Sequence, residues 1–137
     1  MQRFLSNNSG TTAIEFALVL PVYLIVILGI FATSLMLWEE NSIQYAAEQA
    51  ARCASVNVID CGTAGVVDQT KITNAAIGWT NGILSSGDTG KVTVNLGVNC
   101  TQGAITMTGN QVIIQYAVTL FVISTTLKAE SCYPLLS

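Results

Sequence analysis

No charged side chain occurs across residues 16–38, which read FALVLPVYLIVILGIFATSLMLW. As a helix rising about 1.5 Å per residue, this run spans roughly 34 Å, against a hydrocarbon core of about 30 Å. A core helix in a small domain is apolar along one stripe rather than all round, so the pattern predicts one membrane span. The helical period does not stop at Trp38. Ile43, Ala46, Ala47, Ala50 and Ala54 recur at helical spacing, with Glu40, Gln44, Glu48 and Arg52 between them. One helix over residues 12–55 is expected, half in a membrane and half beneath an outer domain. Glu48 and Arg52 stand four apart in the order that supports a helix. The small alanine stripe admits close approach, by the chain's own sheet as the favoured reading or by neighbouring helices.

Beyond the stripe, residues 57–65 carry loop signals in Asp60, Cys61, Gly62 and Gly65. Asp68 is placed to cap a second helix, whose apolar face is Ile72, Ala75, Ala76, Trp79 and Ile83, ending at the polar stretch 85–90. Strict alternation follows. Val92, Val94, Leu96, Val98 and Cys100 oppose Thr93, Asn95, Gly97 and Asn99, the signature of a half-buried strand. Ile105 and Met107 predict a short second strand, and Gly109 with Asn110 a turn. Residues 111–124 are apolar on both faces and predict a central third strand with one face on the long helix. Trp79, Tyr116 and Phe121 are assigned to core packing. The expected fold class is α+β: a long N-terminal helix, a second short helix and an antiparallel sheet of about three strands.

Composition sharpens this picture. The chain of 137 residues is 51% hydrophobic and only 9% charged, where soluble domains carry roughly 25% charged residues. The net charge is −3, and Arg3, Arg52, Lys71, Lys91 and Lys128 lie far apart, so there is no basic patch for nucleic acid. The absence of histidine removes the commonest general base and metal ligand. With no paired-carboxylate motif and no glycine-rich phosphate loop, neither catalysis nor a cofactor is expected. Arg3 and the N-terminal amine precede the apolar run, while Glu39 and Glu40 follow it. The positive-inside rule then puts the N-terminus in the cytoplasm and the outer domain across the membrane. Tyr23 falls inside the run, and Trp38 ends it at interface depth. A cleaved secretory signal is the competing reading, but such signals have apolar cores of about 7–15 residues. Here Ala32, Thr33 and Ser34 form the one weak cleavage site.

All four cysteines, Cys53, Cys61, Cys100 and Cys132, follow the apolar run and therefore face an oxidising compartment. Their spacing matches no paired-ligand zinc motif. Three disulfide connectivities are possible. Proximity along the chain favours Cys53 with Cys61, pinning the loop to the end of the long helix. Cys100 with Cys132 would then tie the C-terminal segment to the first strand.

The most informative stretch is SGTTAIEFALVLP, which sets Glu15 at the inner edge of the apolar run. A carboxylate there is costly and calls for a partner. The bland alternative is that Glu15 snorkels to the headgroups. If the chain were cut after Gly10, the new amine of Thr11 would meet Glu15 of a neighbouring subunit and set the stagger between packed helices. Pro21 lies within the apolar helix, where it removes one backbone donor and should kink or loosen the preceding turn.

Gly10, four residues, Glu15, then Phe16 and an apolar helix resemble the start of a type IV prepilin. Over about the first 55 residues, GTTAIEFALVLPVYLIVILGI with the later QYAAEQAARCA resembles the TadE-like family of minor pilins (pseudopilins) in Tad/Flp systems. That resemblance implies a leader at 1–10, a transmembrane helix at 11–38 and an outer pilin domain at 39–137. It implies cutting by a prepilin peptidase between Gly10 and Thr11. The implied partners are other pilin subunits, the Tad/Flp assembly machinery and the membrane. The protein would sit in the inner membrane as a single-pass protein with a periplasmic domain, and could become extracellular in the pilus. The alternative is an uncut signal-anchored domain that binds a partner without entering a filament.

Overall fold

The computed structural model describes residues 9–56, 60–63, 66–102, 105–120 and 123–135, with side chains from Ala13 onward except at 102, 120 and 123. Helix α1 (Ser9–Val56) is unbroken. The chain divides into two compact units, residues 1–36 and 37–137, and α1 contributes to both.

In the first unit every described side chain from Ala13 to Phe31 is exposed. A helix that leaves Leu18, Ile25 and Phe31 at 62–72% exposure is built for an apolar solvent. Among the described helices, α1 is long and apolar enough to cross a membrane. In lipid, which offers backbone groups no partners, these residues would stay helical despite their many β-branched side chains. The polar groups toward the C-terminal end of the apolar run are satisfied locally. Thr33 Oγ1 donates to the carbonyls of Gly29 and Ile30, at 3.1 and 2.9 Å, and Ser34 Oγ donates to Ile30 O at 2.8 Å. Pro21 lies inside the helix, which continues through it.

In the second unit α1 buries Ser42, Ile43, Ala46, Ala47, Ala50, Ala51 and Ala54, one stripe repeating at three and four residues. Side-chain bonds from the helix reach the sheet and the end of the second helix. Ser42 Oγ donates to Thr80 O, Gln44 Nε2 to Glu130 O and Ser55 Oγ to Tyr133 O. The alanine stripe thus serves packing inside the unit, where small side chains bring the helix close to its neighbours.

Asp68 caps α2 (Gln69–Trp79), its Oδ1 accepting the backbone N–H of Thr70 at 2.9 Å and of Lys71 at 3.4 Å. The helix stops at Trp79, short of Ile83, which the apolar spacing had included. Asn81 and Gly82 adopt left-handed φ of 53° and 87°, and Thr80 closes the end. Thr80 is wholly buried. Its Oγ1 donates to Ile77 O at 2.7 Å and accepts from Leu84 N at 3.1 Å. Ahead of α2, β1 (Gly62–Thr63), inside the stretch expected to be loop, pairs with β2 (Val66–Val67) just beyond it in a two-stranded ribbon.

The main sheet is antiparallel in the order β3 (Val92–Gln102), β4 (Ile105–Leu120), β5 (Ile123–Pro134). Three strands were expected, but two of their boundaries were not. Gly109 and Asn110 form no turn; they sit mid-strand in β4, opposite Pro134 and Tyr133 of β5. Glycine is required at 109 because a Cβ there would lie 2.3 Å from the carbonyl oxygen of Tyr133. The predicted strand over 111–124 instead divides between β4 and β5. Their connection at 121–122, including Phe121, lies outside the described residues. Apolar residues continue through that connection and hide it from a hydropathy reading. In β3 the register shifts between Asn95 and Val98, where Gly97 takes φ 63°.

Candidate functional site on the N-terminal helix

Gly10 and Thr11 fall in the first turn of α1, a turn without an acidic residue. Glu15 follows one turn later and is exposed, flanked by Ile14 and Phe16 at 65% exposure each. Among the described residues Glu15 has no hydrogen-bond or ion-pair partner. Arg3 lies outside the described residues. A single copy therefore presents an unpaired carboxylate at the edge of an apolar surface. In lipid a carboxylate there would call for a cationic partner, and a neighbouring chain is one source of it. Phe16 and Pro21 lie further along the same stretch of helix. Gly10, Thr11, Glu15, Phe16 and Pro21 thus share one segment of α1, and its described side chains from Ala13 onward are exposed.

The C-terminal part of α1 carries a different surface. Trp38, Tyr45, Glu48, Arg52 and Val56 are exposed along it. Gln44 Nε2 donates to Glu48 Oε1 at 3.3 Å. Arg52 borders two open clefts. One, of about 430 Å³, is lined by Glu48, Gln49, Arg52, Ser131, Cys132 and Tyr133. The other, of about 390 Å³, is lined by Gln49, Arg52, Cys53, Val56 and Trp79.

Disulfides stand beside both clefts. Cys53 is bonded to Cys61 and Cys100 to Cys132, with Cα–Cα distances of 5.8 and 6.3 Å, inside the usual range of about 4.4–6.8 Å. The first holds the β1 segment at the end of α1, and the second links the two edge strands across β4.

Elsewhere the second unit's charges serve local structure. Lys91 Nζ lies 2.8 Å from Asp88 Oδ1 and 5.0 Å from the centroid of the Tyr116 ring. That lysine, with the N–H and hydroxyl of Ser85, lowers the Asp88 carboxyl to a pKa of about 2. Lys128 lowers Glu130 in the same direction, with Gln111 adding a hydrogen bond. The Thr63 hydroxyl and the Thr70 N–H lower Asp68. Among the described residues no three His, Cys, Asp or Glu side chains gather as metal ligands.

Two features escaped the reading of the sequence. Asn110 reads as a turn residue, yet its amide donates to Ala54 O and accepts from Gly97 N inside the second unit. Arg52 looked like one half of a helix-stabilising pair, yet no ion pair to Glu48 forms.

No curated protein and no solved structure matches the chain. A family model described as TadE-like protein matches residues 10–52. The match starts at Gly10, covers Glu15, Phe16 and Pro21, and ends at Arg52, so it takes in most of α1. Over this segment the chain is similar to the TadE-like family, a structural family associated with Tad pilus systems.

Proposed function

We propose that the protein is a minor pilin, or pseudopilin, of a Tad/Flp-type pilus, acting in pilus biogenesis or the initiation of assembly. Residues 1–10 are a leader that a prepilin peptidase removes after Gly10. Residues 11–38 anchor the chain in the inner membrane, and residues 39–137 form a periplasmic domain that becomes extracellular on assembly. In a filament or priming complex, Glu15 receives the Thr11 amine of a neighbouring subunit. Other pilin subunits, the assembly machinery and the peptidase are the partners.

The observation that carries this reading is the match over residues 10–52, taken with the unpartnered Glu15 on a fully exposed apolar helix. A carboxylate placed there is a liability in a monomer and a register pin in an assembly. N-terminal sequencing of the mature protein tests it. Thr11 as the first residue is expected, together with accumulation of a larger precursor when Gly10 is substituted. An N-terminus at Met1, or a Gly10 variant of unchanged size, favours an uncut signal anchor whose outer domain binds its partner without entering a filament.

A further inference from the structure

The two outer edges of the main sheet differ. Along β3 the pairing shifts between Asn95 and Val98, Gly97 takes a positive φ, and Gln69 Nε2 of α2 donates to Val94 O at 3.4 Å. A bulge and an overlying side chain are common guards of a sheet edge. β5 instead keeps one register against β4 from Ile123 to Pro134, without a bulge. Among the described residues no strand lies on its other side.

Two residues at the end of β5 fix which main-chain groups that edge offers. Leu135 N donates to Thr108 O at 3.4 Å and continues the register, so the odd-numbered residues of β5 turn their main-chain groups toward β4. Pro134 has no N–H, and it stands opposite Gly109 in a pair that needs none. Thr126, Lys128 and Glu130, all exposed, therefore direct N–H and C=O away from the sheet. One of these carbonyls, that of Glu130, meets the Gln44 amide at 3.5 Å, a long contact that a docked chain displaces readily.

An unpaired cation stands beside the same edge. Lys71 Nζ donates to Gly62 O at 2.7 Å, Lys91 meets Asp88 at 2.8 Å and Lys128 meets Glu130 at 2.8 Å. Arg52 has no partner among the described residues, and the Glu48 carboxylate takes the Gln44 amide. Arg52 lines the open cleft of about 430 Å³ together with Ser131, Cys132 and Tyr133 of β5. Leu127, Ala129 and Ser131 are buried, so the odd-numbered side chains of β5 lie on the α1 side of the sheet. A strand added along β5 presents alternate side chains to that side, and the one opposite Ser131 enters the cleft that Arg52 lines.

We propose that the β5 edge at Thr126, Lys128 and Glu130 is a docking site for an extended segment of another polypeptide, which adds to the sheet as a fourth strand and sets a carboxylate side chain against Arg52. Main-chain hydrogen bonds supply the attachment. A two-pronged, charge-assisted pair with the guanidinium supplies the preference for an acidic residue. Lys128 and Glu130 project from the opposite face of the strand and do not compete for that carboxylate. Glu48, in the same cleft, repels a second carboxylate, so the segment carries one acid on this face. The site is independent of a cut after Gly10.

The full chain in detergent is titrated into a fluorescent, end-blocked peptide of alternating threonine and valine with one central glutamate. Anisotropy should show saturable binding below about 1 mM. Glutamine in place of the peptide glutamate, or Arg52→Gln in the protein, should each weaken binding at least about fivefold, and the two together no further. Lys128→Pro removes an N–H that β4 does not use, so the sheet stays paired while binding falls at least about tenfold. Lys128→Ala, which keeps the N–H, should bind as the unmodified chain does. A second measurement needs no variant. Saturating peptide should slow amide exchange at Thr126, Lys128 and Glu130 at least about tenfold and leave Ala129, already bonded to β4, nearly unchanged. Equal binding to the Lys128→Pro chain, or no slowing at those three amides, overturns strand addition. Equal affinity for the glutamate and glutamine peptides overturns the part given to Arg52. No binding at about 1 mM overturns the site.

Discussion

The Asn110 side-chain amide donates to the carbonyl oxygen of Ala54 at 2.8 Å, across 56 residues of sequence. Ala54 lies in the last turn of α1, where carbonyls have no partner within the helix. Asn110 supplies one from the middle of the sheet. Its Oδ1 accepts the backbone N–H of Gly97 at 3.0 Å, so the same side chain also fastens the bulge in β3. With 2% exposure, Asn110 satisfies one buried carbonyl and one part-buried N–H.

Replacing it by alanine should therefore cost more than a surface hydrogen bond. Asn110→Ala leaves the Ala54 carbonyl and the Gly97 N–H without their partner, and a loss of about 2–4 kcal/mol is expected. Urea unfolding of the full chain in detergent, followed by near-ultraviolet dichroism, measures it. Asn110→Asp keeps the acceptor for Gly97 but turns a carboxylate toward Ala54 O. It should be no better at pH 7 and should recover part of the loss on acidification. Unchanged midpoints for both variants would show that the bridge contributes nothing.

Gly109 makes a second, steric demand beside it. A methyl group at this position meets the Tyr133 carbonyl oxygen at 2.3 Å and its carbon at 2.9 Å, both backbone atoms of the paired strand. Neither can rotate away, so Gly109→Ala has to part β4 from β5. A destabilisation of about 1–3 kcal/mol or more is expected, read as a lower urea midpoint. Alanine at Gly90, where added Cβ atoms meet nothing within 4 Å, is the control that should change little.

What the sequence revealed and what it concealed divide by the range of the interaction. The alanine stripe, the Asp68 cap and the alternation from Val92 to Cys100 are local patterns, each set by residues a few places apart. Gly109 and Asn110 are a local turn signal put to a non-local use. Their reasons for being glycine and asparagine lie in Tyr133, Ala54 and Gly97, none of which is nearby in sequence. Strand β5 did carry a faint alternation, with Leu127, Ala129 and Ser131 buried against Thr126, Lys128 and Glu130 exposed. Threonine, serine and alanine are too similar in hydropathy to make it stand out. The candidate site is legible for the same reason as the stripe, because Gly10, Glu15 and Phe16 form one contiguous motif. The isolation of Arg52 is a matter of rotamers and neighbours, which spacing alone does not reveal.

The disulfides should differ in their effect on stability. Cys53–Cys61 closes a separation of 8 residues and Cys100–Cys132 one of 32. In the chain-entropy account the first restricts the unfolded chain by roughly 2.5 kcal/mol and the second by roughly 4 kcal/mol. The Cys100→Ser/Cys132→Ser chain should therefore have the lower urea midpoint of the two double-serine variants. It also releases the tie between the edge strands, so cleavage by added protease should concentrate in the C-terminal strand. The reverse order of midpoints would show that anchoring residue 61 to α1 matters more than the cross-sheet tie.

Acid should weaken the second unit, residues 37–137, through Asp88. Lys91, with the Ser85 N–H and hydroxyl, holds this carboxyl at a pKa of about 2, below its ordinary value of 3.8. A lowered folded pKa means that the unfolded chain takes up the proton first. The stabilisation is thus complete above about 3.8 and disappears as the pH falls toward about 2. Asp68 and Glu130 are lowered too, so they act in the same direction. Between those limits the melting temperature should drop with pH, and the drop should be smaller in Asp88→Asn. High salt should reduce the Asp88 share, because the Lys91 pair is solvent-exposed. A melting temperature equally steep in pH for Asp88→Asn and the unmodified chain would assign the acid sensitivity to other carboxylates.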